Sequence, residues 1–192
     1  MRRNKNDKLD SLVIAQFCAA IKPKEWIPPT AEQRQLRALL RHLQALKKTL
    51  TAQKNRLATC RDERVRQSLL RIIEQLESEI AQLDQQIQQH IDTHPHLAEQ
   101  QQLLITPGGI GERTAALLMA EMYDLASYDN ARAAAADAGL TPSHHTSGTS
   151  VRRKPKVSKM GKTSIRGGLY WPAITAIRFN PIIKRFAARL TF

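Results

Sequence analysis

A mainly α-helical protein is predicted by three observations. Two seams of Leu and Ile at alternating three/four spacing run between Leu36 and Ile91. A Gly-rich stretch at Pro107–Gly111 leads into an apolar run with helical composition. No segment shows the apolar/polar alternation of a half-buried strand, so no β-sheet is expected.

The elements follow in order. Asp10 to Ala20 reads as a short amphipathic helix, stopped by Lys22-Pro23 and Pro28-Pro29. Arg2, Arg3 and Lys5 ahead of Leu12–Ile21 imitate a secretory signal. Asp7, Asp10 and Gln16 interrupt it, and no small-x-small cleavage pattern follows. Trp26, between the prolines, is expected to anchor against a core or a partner. Thr30 can cap the next helix, with Glu32 and Gln33 in its first turn. Leu36, Leu39, Leu43, Leu46, Leu50 and Leu57 form one seam, and Leu69, Ile73, Leu76, Ile80, Leu83, Ile87 and Ile91 the other. The charged Cys60–Gln67 separates them. Such heptads predict two long helices folded as an antiparallel coiled-coil hairpin or zipped with another copy; a helical-bundle core is the plainer alternative.

His94-Pro95-His96 lacks neighbouring Cys or carboxylate ligands and reads as a linker. Leu103–Met122 combines an apolar turn, a Gly-rich loop and a helix opening at Glu112, the composition of a helix-hairpin-helix. There, loop and helix N-terminal N–H groups face a DNA phosphate, making Gly109, Gly111 and Arg113 candidate contacts. The alternative is a simple turn with a glycine C-cap. The Lys-Ser/Thr pair of a nucleotide P-loop is absent. Ala131–Ala138 is an Ala-rich helix ending at Gly139. Ile165–Ile177 reads as a helix kinked at Trp171-Pro172, and Asn180-Pro181 opens a basic amphipathic helix over Ile182–Leu190.

Charge points to the partner. The net charge is +13, and the last acidic residue is Asp137; the fifty-five residues after it carry eleven Lys and Arg. A polyanion is the expected partner. Nucleic acid is favoured over membrane, because no stretch nears the roughly 20 apolar residues a span needs. Two cysteines, Cys18 and Cys60, fit a reducing, cytoplasmic setting. Arg152, Arg153, Lys154, Lys156, Lys159, Lys162 and Arg166 are the candidate backbone contacts.

Two sets of residues could do chemistry. Asp7 and Asp10, at i and i+3, project from one helix face and could hold a hard cation; plain capping by Asp10 is the alternative. Ser147, in Ser147-Gly148-Thr149-Ser150, lies ahead of the basic run. With its proton removed it could attack a phosphate whose developing charge the nearby cations stabilise. His144 and His145 are candidate bases. The alternative is a loop hydroxyl bonded to backbone or phosphate.

Several blocks in one order carry a resemblance. They are Arg3-Asn4-Lys5-Asn6-Asp7-Lys8-Leu9-Asp10, Leu103–Ala115 and Ala138-Gly139-Leu140-Thr141-Pro142. The last begins at Ser147-Gly148-Thr149-Ser150-Val151-Arg152 and passes through Ser158-Lys159-Met160-Gly161 and Ile165-Arg166 to Leu169-Tyr170-Trp171-Pro172-Ala173. Together they resemble the DEDD transposases of insertion sequences related to the pilin-gene invertase and guided by a bridge RNA.

The resemblance implies a RuvC-like domain whose four acidic residues bind Mg²⁺, a coiled-coil arm used in assembly, and a transposase domain with a nucleophilic serine. Asp7 and Asp10 match the third and fourth acidic residues, and Ser147 the serine. It thus implies a RuvC-like remnant over residues 1–29, a coiled-coil arm over 30–93 and an incomplete transposase domain over 94–192. The partners implied are DNA, guide RNA and further copies of the chain. Two departures imply a copy cut at both ends: the first two acidic residues would precede Met1, and a closing basic helical segment is missing. Gly108 stands where the family's hairpin has proline. The function expected is DNA cleavage and rejoining through a serine–phosphate intermediate with Mg²⁺. The alternative is a non-catalytic nucleic-acid-binding remnant that oligomerises through its arm.

Overall fold

The structure, a computed structural model, describes residues 7–23, 25, 27–122, 125–147, 151–157 and 160–190. Trp26, Gly148 and Lys159 therefore lie outside the described residues. The fold is mainly helical, as expected. Helix α1 spans Asp7–Ile21, α2 Ala31–Thr59, α3 Glu63–Asp92, α4 Pro95–Ile105 and α5 Glu112–Glu121. After a short 3₁₀ turn, Leu125–Ser127, come α6 (Ala131–Asp137) and two strands, β1 (Pro142–Ser147) and β2 (Val151–Val157). Helices α7 (Thr163–Gly168), α8 (Tyr170–Phe179) and α9 (Pro181–Leu190) follow.

The seams produce a long antiparallel hairpin of α2 and α3. Thr30 closes a full capping box: its Oγ1 accepts from the Gln33 N–H at 3.3 Å, and the Gln33 side chain accepts from the Thr30 N–H at 3.0 Å. The turn between the helices is only Cys60–Asp62. Asp62 caps α3 by accepting from the Val65 N–H, and Arg66 reaches back to the carbonyls of Leu57 and Cys60, each at 3.2 Å. The seam break is thus shorter than the charged stretch suggested, because Asp62 restarts the helix at once. Lys54–Glu77 at 2.6 Å and Lys47–Asp84 at 3.7 Å cross-link the two helices along their length.

At its base the hairpin becomes part of the core. Leu36, Leu40 and Leu43 of α2 meet Leu83, Ile87 and Ile91 of α3, Leu97 of α4, and Ala116, Met119 and Ala120 of α5. Leu40 is off the predicted seam yet buried, since α2 packs on α5 as well as on α3. Helix α5 is buried from Ala115 through Glu121; its alanines admit neighbours on every side. Buried Glu121 is met by Arg37 Nη2 and Arg41 Nε, both at 3.3 Å, which ties α5 to α2. On the other side of α5, Leu118 and Met122 pack with Ala138 and Ile165.

His94 is not the start of a loose linker. It N-caps α4, with Pro95 at the first helical position, and its Nδ1 lies 2.6 Å from the His90 carbonyl. The expected kink at Trp171-Pro172 is also displaced: the helix divides at Leu169, and Pro172 sits in the first turn of α8, where its missing N–H costs little.

The expectation of no sheet was wrong. β1 and β2 form an antiparallel ribbon, Pro142 opposite Val157, Ser143 opposite Lys156, His145 opposite Arg153, Thr146 opposite Arg152 and Ser147 opposite Val151. Between the second and third of these pairs the register shifts, with Lys154 and Pro155 opposing His144 alone. A bulge at Pro155 is physically apt, because proline has no N–H to donate to a ladder. Pro-Ser-His-His-Thr-Ser and Val-Arg-Arg-Lys-Pro-Lys-Val hold no apolar alternation, so a search for half-buried strands passes over them.

Candidate nucleic-acid interface

The ribbon grows out of a clamp between α6 and α7. Helix α6 ends in a left-handed glycine: Gly139 (φ +71°) donates to the Ala136 carbonyl, and Leu140 to Ala135, the paired bonds of a Schellman end. The chain leaves through β1, returns through β2, and passes Gly161 (φ +93°) directly over Gly139. A Cβ on Gly161 would lie 2.5 Å from Gly139 Cα and N, and one on Gly139 would lie 2.6 Å from the Met160 carbonyl oxygen. Only two glycines allow this crossing.

Asp137 fastens it. Its carboxylate accepts from Lys162 Nζ at 2.6 Å and from the Tyr128 hydroxyl, while its carbonyl accepts from the Lys162 N–H at 3.1 Å. Burial pushes the Asp137 carboxyl upward, but the Lys162 and Tyr128 hydrogen bonds outweigh it and hold the group below the usual aspartate range. Arg166 Nη1 adds a 3.3 Å bond to the Gly139 carbonyl. Sequence reading missed this clamp, although Asp137 was in plain view as the last acid before the basic tail.

The predicted contacts therefore fall into groups. Ser147 closes β1, with Arg152 and Arg153 on the facing strand and Lys154 at the bulge. Lys156 is exposed near the ribbon's base. Lys162 and Arg166 belong to the clamp. Gly109 (φ +118°) touches α8, where a Cβ would sit 2.7 Å from Ala176 Cβ, so helix packing accounts for its backbone. Gly111 N-caps α5 with open space around it. Arg113 Nη2 pairs with Asp84 at 2.6 Å, but the Arg113 side chain is 76% exposed. A pair that wet is worth only about 0–1 kcal/mol, so it can be exchanged for a phosphate.

Asp7 and Asp10 lie one turn apart in the exposed first turn of α1, a helix with no buried residue. Two carboxylates one turn apart, together with substrate phosphates, are a donor set of the kind Mg²⁺ takes. Among the described residues, however, no group of three or more His, Cys, Asp or Glu is placed to hold a metal. The pair can contribute to a cation site and does not complete one.

With this geometry in view, comparison with known proteins gives the class. Residues 101–188 match a family described as Transposase IS116/IS110/IS902 family, and residues 1–63 match the DEDD transposases of IS110 type. The chain is built of transposase domains. It is 32% identical over 198 residues to the pilin gene-inverting proteins of Moraxella bovis and Moraxella lacunata, an alignment covering 98% of this chain. It spans 58% of the length of these curated relatives. The chain belongs to the IS110 family of transposases, a family of DNA-recombining enzymes.

Proposed function

We propose that the chain acts on DNA as an insertion-sequence transposase, with Ser147 as the nucleophile of strand cleavage and rejoining. The observation that carries this reading is the position of Ser147. It is the last residue of β1, at the head of a ribbon whose second strand sets Arg152 and Arg153 opposite its neighbours. No acidic residue follows Asp137 to offset that charge.

In the reaction, a bond forms between Ser147 Oγ and the scissile phosphorus as the bond from phosphorus to the departing sugar oxygen breaks. The serine proton passes to a base, for which His144 and His145 are the candidates, and the departing oxygen takes a proton from solvent. The new phosphoserine ester replaces the broken phosphodiester, so a second strand's hydroxyl can reverse the step without an outside energy source. Cations around the phosphate stabilise the charge that builds on its oxygens. Mg²⁺, when bound, would polarise a phosphodiester, and Asp7 and Asp10 are the residues that would help hold it.

The finer organisation is proposed on the same footing. Residues 1–29 would be a piece of a RuvC-like domain and 30–93 a coiled-coil arm through which copies associate. Residues 94–192 would form the transposase domain, with α4, the Gly109 loop and α5 as its helix-hairpin-helix. The regular seam and the ion pairs across α2 and α3 support the arm. Guide RNA as a partner and a cytoplasmic setting complete the reading, and no described helix is long and apolar enough to cross a membrane.

The test is covalent trapping. The purified protein with guide RNA and labelled duplex should yield a protein–DNA adduct that survives denaturant and disappears in Ser147→Ala. Salt-sensitive binding with no adduct would replace this reading by that of a non-catalytic binding protein.

A further inference from the structure

A second basic surface lies at the opposite end of the arm from the core. Between Lys54 and Arg71 the chain has six basic residues and two acidic ones. Both acids are engaged locally: Asp62 caps α3, and Glu63 pairs with Arg66. Lys54 is met by Glu77 across the hairpin, and Arg66 also staples the turn through the Leu57 and Cys60 carbonyls. Arg61, Arg64 and Arg71 remain exposed, with no carboxylate partner among the described residues.

Their placement runs against what folding alone favours. Arg64 stands in the first turn of α3, where the N–H ends of the helix disfavour a cation and favour an anion. Arg71 follows seven residues later, two turns on and on the same face, about 10.5 Å along the axis. Beside this row run Val65 and Ile72, 46% and 41% exposed. Nearer the core Lys47 of α2 is matched by Asp84 of α3.

We infer that the tip of the α2–α3 hairpin is a second nucleic-acid contact, in which Arg61, Arg64 and Arg71 grip the phosphate backbone of duplex DNA away from the ribbon. Successive backbone phosphates there would meet the three guanidinium groups, and the one nearest Arg64 would complement the positive end of α3. Duplex DNA is the chosen partner because the reaction proposed above supplies it; the inference rests on that reading only to this extent.

Fluorescence anisotropy of the full chain with a labelled duplex, across a range of salt concentration, tests it. Arg61→Gln/Arg64→Gln/Arg71→Gln should flatten the dependence of log K on log salt by up to about 2.7, roughly 0.9 for each phosphate that is no longer neutralised. The triple Arg→Lys variant should keep the wild-type slope. An unchanged slope in the triple Gln variant overturns the inference. So does a weakening seen with duplex RNA but not DNA, or a change of sedimentation that accounts for the weakening, which would make the tip an interface between copies. If the wild-type chain binds no duplex at all, the reading of the chain as a DNA-acting protein fails instead.

Discussion

Replacing Gly161 by alanine should uncouple the ribbon from the body, and replacing Gly167, six residues on, should not. At Gly161 the backbone is left-handed, which costs a residue with a Cβ about 1–2 kcal/mol. The added atom would also lie 2.5 Å from Gly139 N and Cα and 2.9 Å from the Asp137 carbonyl oxygen, all main-chain atoms that cannot rotate away. Relief requires the two chain segments to part. That sacrifices the 3.1 Å bond from Lys162 N–H to the Asp137 carbonyl, about 1 kcal/mol, and strains the half-exposed Lys162–Asp137 pair, about 0–1 kcal/mol. The sum is a loss of about 2–4 kcal/mol. Gly167 lies in α7 with nothing within 4 Å of an added Cβ and no left-handed backbone. Alanine there should be neutral or stabilising by up to about 1 kcal/mol. Urea unfolding followed by circular dichroism measures both, and adduct yield with labelled duplex reports the ribbon. Equal stability of the Gly161→Ala variant and wild type, or an equal fall in Gly167→Ala, would refute the reasoning.

Two further outcomes follow from the charged groups. Glu121→Ala should cost about 1–3 kcal/mol, because the buried carboxylate accepts from both Arg37 and Arg41; the partial exposure of those arginines keeps the loss below that of a fully buried pair. Chemical denaturation checks this, and a loss under about 0.5 kcal/mol would mean that α5 is held by its alanine packing alone. Asp137 has a folded pKa below its unfolded one, so its contribution is complete above the ordinary aspartate range and fades as pH falls through the lowered value. The stability difference between wild type and Asp137→Asn should therefore shrink on acidification and stay constant from weakly acidic to neutral pH. A difference that persists unchanged in strong acid would show that the carboxylate charge is not what holds the clamp.

What was legible in the sequence was whatever repeats or caps locally. The Leu and Ile seams, the Thr30 capping box, the helix opening at Glu112 and the Gly139 helix end each depend on residues within a turn or two of one another. What was hidden depends on packing between distant residues. Leu40 looks like a surface position until α5 covers it, and nothing in the Gly109 loop itself announces the close approach of Ala176 of α8. The ribbon was missed for a different reason. A strand is recognised by the face it buries, and a run of Arg, Lys, His and Pro offers no such periodicity; its pairing comes instead from the close crossing of Gly139 and Gly161 at its base.

That crossing also changes how the basic tail should be understood. As a string of residues, the eleven cations after Asp137 look equivalent. In the fold they divide: Lys162 and Arg166 secure the base of the ribbon, while Arg152, Arg153 and Lys154 fall on the strand facing Ser147. Asp137, the last carboxylate, is consumed at the boundary between the two groups, where its charge holds the scaffold together without reaching the ribbon's head. Were that acid placed a few residues later, within β1, it would fall on the strand paired with Arg152 and Arg153. The order of the residues thus keeps the one anchoring anion behind Ser147, and no Asp or Glu after it in the given sequence is there to pair with the arginines of β2.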